Sequence, residues 1–306
     1  MTEQHSILNY QLSIPQAVPY INWLYFFHAW GFPARYASIA QQHDCMACRQ
    51  TWLAQFNATE RPRAEEALRL YTDATALLRR HDSRQVLSVR YAIMEAYSHG
   101  DDIIVTDSHG HAITLPMLRQ QHGAFQCLAD YVNPVYTHGE HTSQIGIFCA
   151  TAGKHLETMH AESDSYNHLL AQTLADRLAE AVTEAAHEHI RRHVWAYAPD
   201  EHLTLHELHA EHYQGIRPAV GYPCLPDQSI NFLLDQLIDF SAIGIALTTN
   251  GAMQPHASVS GLMLSHPDAC YFGVGTIGND QLTDYAQRRG LPTERMRTFL
   301  ASNIGN

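Results

Sequence analysis

The stretch that decides the fold is Tyr213-Gln214-Gly215-Ile216-Arg217-Pro218-Ala219-Val220-Gly221-Tyr222-Pro223. Its prolines fix φ and turn the residues before them, Arg217 and Tyr222, away from the helical basin. Gly215 and Gly221 permit positive φ, or the close approach of another backbone or a ligand. The segment reads as a stiff, irregular loop. Arg217 stands in it as a planar fork of donors suited to a carboxylate. Two uses remain open at this level: a loop that grips a ligand, and one that buttresses a helix end.

Upstream, Thr204-Leu205-His206-Glu207 has capping-box spacing and opens a short helix ending near His212, which delivers the loop. Before it, residues 166 to about 194 read as one long helix with a stripe of Leu170, Leu174, Leu178 and Ala181. Asp176, Arg177 and Glu180 are interspersed on it. Downstream, Pro226-Asp227 starts a helix carrying Phe232, Leu233, Leu237 and Ile238. A β-hairpin is expected next, residues 259–264 and 271–276 joined by the turn His266-Pro267-Asp268. Asn279 can cap a helix ending at Gly290, and Pro292 can start a short last one.

Toward the N-terminus, residues 1–19 have few periodic features and read as an extended arm. The aromatic run Trp23-Leu24-Tyr25-Phe26-Phe27 is too short to separate helix from strand. Residues from about 63 to 80 form an amphipathic helix, with Ala67, Leu68, Tyr71, Ala74, Leu77 and Leu78 at helical spacing. From 86 to about 151 come short β-like runs: Ile103-Ile104-Val105-Thr106, Ala112-Ile113-Thr114-Leu115 and Ile145-Gly146-Ile147-Phe148. Turns are expected at His99-Gly100-Asp101-Asp102 and Ser108-His109-Gly110-His111. No internal repeat or linker interrupts the chain. The fold class is α+β, one domain over residues 1–306 with a central, mainly antiparallel twisted sheet flanked by helices.

With 306 residues, 45% hydrophobic and 16% charged, the chain has the composition of an ordinary soluble protein. A formal charge of −12 argues against nucleic acid as a partner. No apolar run approaches a membrane span, and the start MTEQHSILNYQ lacks a signal-peptide pattern. The default compartment is the cytoplasm. Protonating all 22 histidines moves the net charge from −12 to about +10, so association should depend on pH near the imidazole pKa of ~6.5. The histidine clusters 187/189/193 and 202/206/209/212 read as solvated helix faces able to hold adventitious zinc. Six cysteines do not suggest a disulfide scaffold, and Cys45-Met46-Ala47-Cys48 is a lone C-x-x-C without a thioredoxin-like context or two further ligands at suitable spacing.

Two motifs tempt and fail. Gly273-Val274-Gly275-Thr276-Ile277-Gly278 satisfies G-x-G-x-x-G, but too few residues follow for the helix and second parallel strand a dinucleotide site needs. Asp107-Ser108-His109-Gly110-His111-Ala112 approaches the Asp-x-His-x-x-Gly box of cobalamin-binding modules, with Ala112 in place of the glycine and short strands as flanks. Bound cobalamin in this chain is therefore not expected. No nucleophile elbow, H-E-x-x-H helix or P-loop is present.

The Arg217-Pro218-Ala219-Val220-Gly221-Tyr222 core of the loop resembles the Arg-x-x-x-Gly-Tyr signature of the S-adenosylmethionine-binding activation domain of cobalamin-dependent methionine synthase. The likeness is colinear over nearly the whole chain. It includes Tyr20-Ile21-Asn22-Trp23, Phe26-Phe27, Leu174 to Ala181, and Trp195-Ala196-Tyr197-Ala198-Pro199. It continues with Ala257-Ser258-Val259-Ser260-Gly261, Ser265-His266-Pro267-Asp268 and Asp284-Tyr285-Ala286.

The resemblance implies a binding site for S-adenosylmethionine. Arg217 is suited to the ligand's carboxylate. Glu211 matches a family contact suited to a positive or hydroxyl-bearing part. Tyr222 and Tyr271 match aromatics that attract a sulfonium by ~0.5–2 kcal/mol. Backbone groups around Ala219-Val220-Gly221 could read the adenine edge. Arg177 and Glu180 match positions near the family's site, though the same two residues suit an intrahelical i,i+3 pair. At Asn22 the family carries an aspartate, so the charge that pairs with the ammonium is lost. Pro226-Asp227-Gln228 lacks a family histidine, and His256 stands where the family has glycine.

In the family, oxidised cob(II)alamin is rescued by one electron from flavodoxin and a methyl group from S-adenosylmethionine. The resemblance thus implies a free-standing reactivation subunit, with cobalamin brought in trans on a methionine synthase cobalamin-binding module and a flavodoxin-type electron donor. It contributes no covalent catalyst. Two alternatives stay open: a non-catalytic sensor or scaffold of the same fold, and a stand-alone corrinoid or thiol methyltransferase.

Overall fold

The computed structural model describes residues 6–80, 86–107, 110–134, 143–159 and 164–305. A six-stranded sheet is built from β1 (Leu8–Ser13), β2 (Val86–His99), β3 (Asp102–Thr106), β4 (Ala112–Pro116), β5 (Ser143–Thr151) and β8 (Ser258–Met263). Its order is β4-β3-β2-β5-β8, and every strand pairing is antiparallel. The fourteen-residue β2 is the spine: β5 pairs along one side of it, while β1 and β3 share the other. The two-residue strands β6 (Ala246–Leu247) and β7 (Met253–Gln254) form a separate ribbon.

Both faces of the sheet are buried, and the period-2 pattern shows how. Along β5, Phe148 and Ala150 enter one core, while Ile145, Ile147 and Cys149 enter the other. On β2 the odd positions Leu87, Val89 and Tyr91 serve the first core, and the even positions Ala92, Met94 and Ala96 the second. The first core is closed by α4 (Arg61–Arg80) and α6 (Ser165–His189), through Leu70, Leu77, Leu170, Leu174 and Leu178. The second is closed by α8 (Asn231–Ile238), through Leu234, Leu237 and Ile238. Helices on both sides of an antiparallel sheet are the architecture the sequence predicts. None of the described helices is long and apolar enough to cross a membrane.

Several local expectations need correction. The N-terminal arm is not merely extended: β1 is a sheet strand, followed by the short α1 (Ile14–Ala17), which carries Pro15 in its first turn under a Ser13–Gln16 capping box. The aromatic run is helical, α2 (Trp23–Ala29), because the Asn22 side chain accepts the Leu24 N–H at 3.1 Å and caps it. The helix α7 (Leu205–His209) has the predicted capping box but stops before His212, where Glu211 takes φ +59°. The long helix α6 runs on through a π-type turn, Ile190–Val194. Asn279 is the first residue of α9 (Asn279–Arg289), with Gly278 at the cap position and Gly290 closing the helix at φ +65°. Pro292 caps α10 (Thr293–Phe299) as the sequence suggests. The remaining short helices are α3 (Met46–Leu53) and α5 (Lys154–Thr158). The turn expected at Ser108-His109 lies outside the described residues, but its flanks Asp107 and His111 join antiparallel strands β3 and β4.

The predicted hairpin does not form. Residues 271–276 adopt no strand. The edge of β8 they were expected to pair with is occupied by the Arg217 loop: Ile216 and Leu264 exchange both backbone hydrogen bonds at 2.9 Å. Leu262 N–H donates to Pro218 O, and Val220 N–H to Ser260 O. Gly215 and Gly261 make this approach possible. A Cβ on Gly215 (φ +81°) meets Leu264 O at 2.2 Å, and one on Gly261 meets Pro218 O at 2.2 Å. The segment after Gly273-Val274-Gly275 leads directly into α9, and among the described residues only an isolated parallel bridge, Ile277 to Ile304, and no parallel strand follows.

Candidate functional site

Docked on β8, the loop faces the polar side of α6 across a cavity of about 580 Å³. On α6 the residues Arg177, Glu180 and Glu184 recur at intervals of three and four, one stripe of a helix whose opposite side fills the core. The loop contributes Arg217, Pro218, Ala219 and Tyr222 to the other wall. The start of α2 brings Asn22, the end of α7 brings Glu211, and the irregular segment after β8 brings Tyr271. Seven of the eight residues singled out in the sequence therefore line one cavity. Val220 does not; its side chain packs on the second core. The N–H groups of Val220, Gly221 and Tyr222 are already bonded to Ser260, Leu225 and Ala219.

Arg217 is the centre of the wall. Its Nη2 pairs with Glu184 Oε2 at 2.9 Å, with both side chains nearly buried. Burial opposes its charge, but Glu184, Tyr213 and Tyr271 outweigh that and hold its pKa above the usual arginine range. Its backbone N–H donates to Tyr271 Oη at 2.9 Å. Tyr222 is half exposed yet directs its hydroxyl to Glu180 Oε1 at 2.8 Å. No salt bridge joins Arg177 to Glu180 among the described residues. Burial and the neighbouring Glu184 raise the pKa of Glu211.

Three buried polar atoms on this wall have no partner: Arg177 Nε, Arg217 Nε and Glu184 Oε1. Buried donors and acceptors are almost always satisfied, so orphans of both kinds on one cavity mark a place where a polar ligand can bond. Two arginines face three glutamates, leaving one net negative charge. The wall suits a compound carrying a carboxylate together with more than one positive centre.

Behind the wall lies a second charged layer. Buried Arg191 pairs with Glu201 at 2.6 Å, and its guanidinium stacks 4.2 Å from the Tyr213 ring. His187 accepts from Arg191 Nη1 at 2.7 Å and meets the Tyr213 ring edge-on. The sequence reading missed Glu184, Tyr213 and the supporting Arg191–Glu201 pair. Glu184 had a signal, since it falls four residues after Glu180 on the same helix face. The others had none, because they are united only by the turn after α6.

Residues 13–290 match the model of a family described as the vitamin B12 dependent methionine synthase activation domain. The chain belongs to this family. Among solved structures, the activation-domain fold of this chain is similar to a crystal structure of the MetH reactivation domain bound to AdoHcy. The two share 33% sequence identity with a TM-score of 0.84, over 99% of this chain and 92% of that one. Activation-domain membership agrees with the mostly antiparallel sheet flanked by helices.

Proposed function

We propose that the cavity binds S-adenosylmethionine and that the chain acts as a reactivation subunit for a cobalamin-bearing methionine synthase. The reading is carried by the three unpartnered polar atoms on a cavity whose net charge complements a ligand with one carboxylate, one ammonium and one sulfonium. The AdoHcy named for the similar reactivation domain supports it. Arg217 and Arg177 hold the carboxylate through charge-assisted bonds. Glu184 and Glu211 face the ammonium and compensate the neutral Asn22, whose carbonyl oxygen is spent on capping α2. Tyr222 and Tyr271 set ring faces beside the sulfonium. Cobalamin, carried by a partner module, supplies the methyl acceptor, and a flavodoxin-type protein is the proposed electron donor. This chain's own contribution is to fix the methyl donor's orientation, a role in proximity rather than covalent catalysis.

Isothermal titration with S-adenosylmethionine and with AdoHcy tests the ligand. Saturable binding of both, tighter for the charged sulfonium and lost in Arg217→Ala, is expected. Absence of heat up to millimolar ligand removes the reading.

A second reading, a sensor or scaffold that binds the ligand without supporting methyl transfer, is favoured by the neutral Asn22. Reconstitution with a cobalamin module, a reductant and S-adenosylmethionine separates the two: methylcobalamin accumulates only if the chain is a reactivation subunit.

A further inference from the structure

Away from the cavity, at the start of α3, the imidazole of His43 and the thiols of Cys45 and Cys48 converge, with one donor atom from each within 4.8 Å of the others. Cys45 occupies the cap position and its sulfur accepts the Cys48 N–H at 3.2 Å. That bond and the helix N-terminus both favour thiolate over thiol there. The two sulfurs are 2.8 Å apart. His43 is exposed and both cysteines are half-buried, so solvent reaches the group. Asp44 lies between them in sequence but is engaged by Arg49 and Arg79, which pins the segment to the end of α4 and leaves the carboxylate occupied. This is the one such trio among the described residues.

We propose that His43, Cys45 and Cys48 form a binding site for a thiophilic metal ion of the zinc class, with three protein ligands and a fourth position open to solvent. The donor set is the reason: two sulfurs and an imidazole match a borderline-soft ion. Zinc–sulfur bonds of about 2.3 Å set a tetrahedral sulfur–sulfur edge of about 3.8 Å, so ion entry opens the pair by about 1 Å. A side-chain rotation at half-buried Cys48 supplies that. The spacing His-x-Cys-x-x-Cys draws all three ligands from one turn and its approach, so an ion there would fix the turn that opens α3 without reaching the ligand cavity.

The full chain, stripped with chelator and kept reduced with a phosphine, is titrated with Zn2+ against a chromophoric competitor and separately with Co2+. One equivalent of Zn2+ should bind, protect both thiols from alkylation, and give a sulfur-to-cobalt charge-transfer band with Co2+. Cys45→Ser and Cys48→Ser should each abolish the band, and the exposed-site variant His43→Ala should weaken binding about tenfold. His206→Ala, at another histidine cluster, should leave the band and its affinity unchanged. A missing charge-transfer band, or binding undiminished in Cys48→Ser or His43→Ala, overturns the site. So does recovery of a Cys45–Cys48 disulfide from zinc-loaded protein.

Discussion

Tyr271 accepts the backbone N–H of Arg217 at 2.9 Å, joining the irregular segment after β8 to the loop that carries the cavity's buried cation. Arg217 precedes a proline and is held extended, so its N–H points away from any helix or ladder and needs a partner of this kind. The same phenol lies 3.3 Å from the hydroxyl of Tyr213. Tyr271→Phe should cost about 1 kcal/mol of stability, from the orphaned N–H, while leaving the ring on the cavity wall. Urea denaturation read beside ligand titration checks this: a stability loss with affinity falling only several-fold is expected.

The Arg217–Glu184 pair is nearly buried at both ends. Removing one partner strands the other, so Arg217→Ala and Glu184→Ala should each destabilise by about 3–5 kcal/mol. The double variant should cost much less than the sum, because no lone charge is left behind. Chemical denaturation of the four proteins in the cycle is the measurement, and additive losses would contradict a direct pair.

Two glycines of the same loop should respond differently to alanine. Gly215 combines φ +81° with a clash at Leu264 O, whereas Gly221 has φ +88° and open space. Gly215→Ala should lose at least about 2 kcal/mol and detach the loop from β8, while Gly221→Ala should cost about 1 kcal/mol from the backbone alone. Hydrogen exchange at Ile216 and Leu264 distinguishes them, since only the first should lose protection.

His187 is buried, and burial followed by the charges of Arg191 and Arg217 holds its pKa well below 6.5. Its proton is therefore taken up by the unfolded chain alone as pH falls through about 6.5. The sign follows: stability is full above that pH and declines by about 1.4 kcal/mol per unit below it for this one group. His187→Gln should flatten the slope by half a proton at about pH 6.5 and by nearly one proton near pH 5.5, measured as the difference between wild-type and variant denaturation curves.

Much of this was legible in the residues. Helices α4 and α6 announced themselves because each carries a 3.6-residue apolar stripe, α7 because its capping box is local chemistry, and α9 because Asn279 and Gly290 bracket it. The β3, β4 and β5 runs were visible through β-branched residues between turns. The hairpin was misread because 271–276 has strand-like residues, but a strand forms only where an edge is free, and the loop had taken that edge. Seven cavity residues were named from a family resemblance, yet Glu184, the direct partner of Arg217, was overlooked.

What the sequence determined by itself was local: periodicity, caps, and the stiff glycine–proline loop with one arginine in it. Those depend on neighbours a few residues away, and so are written in the chain. Only the tertiary structure decided that the loop would zip onto β8, and that its arginine would be nearly buried against a glutamate 33 residues upstream. Such pairings depend on which edges and charges remain uncommitted once the sheet is assembled, and no stretch of sequence carries that information alone.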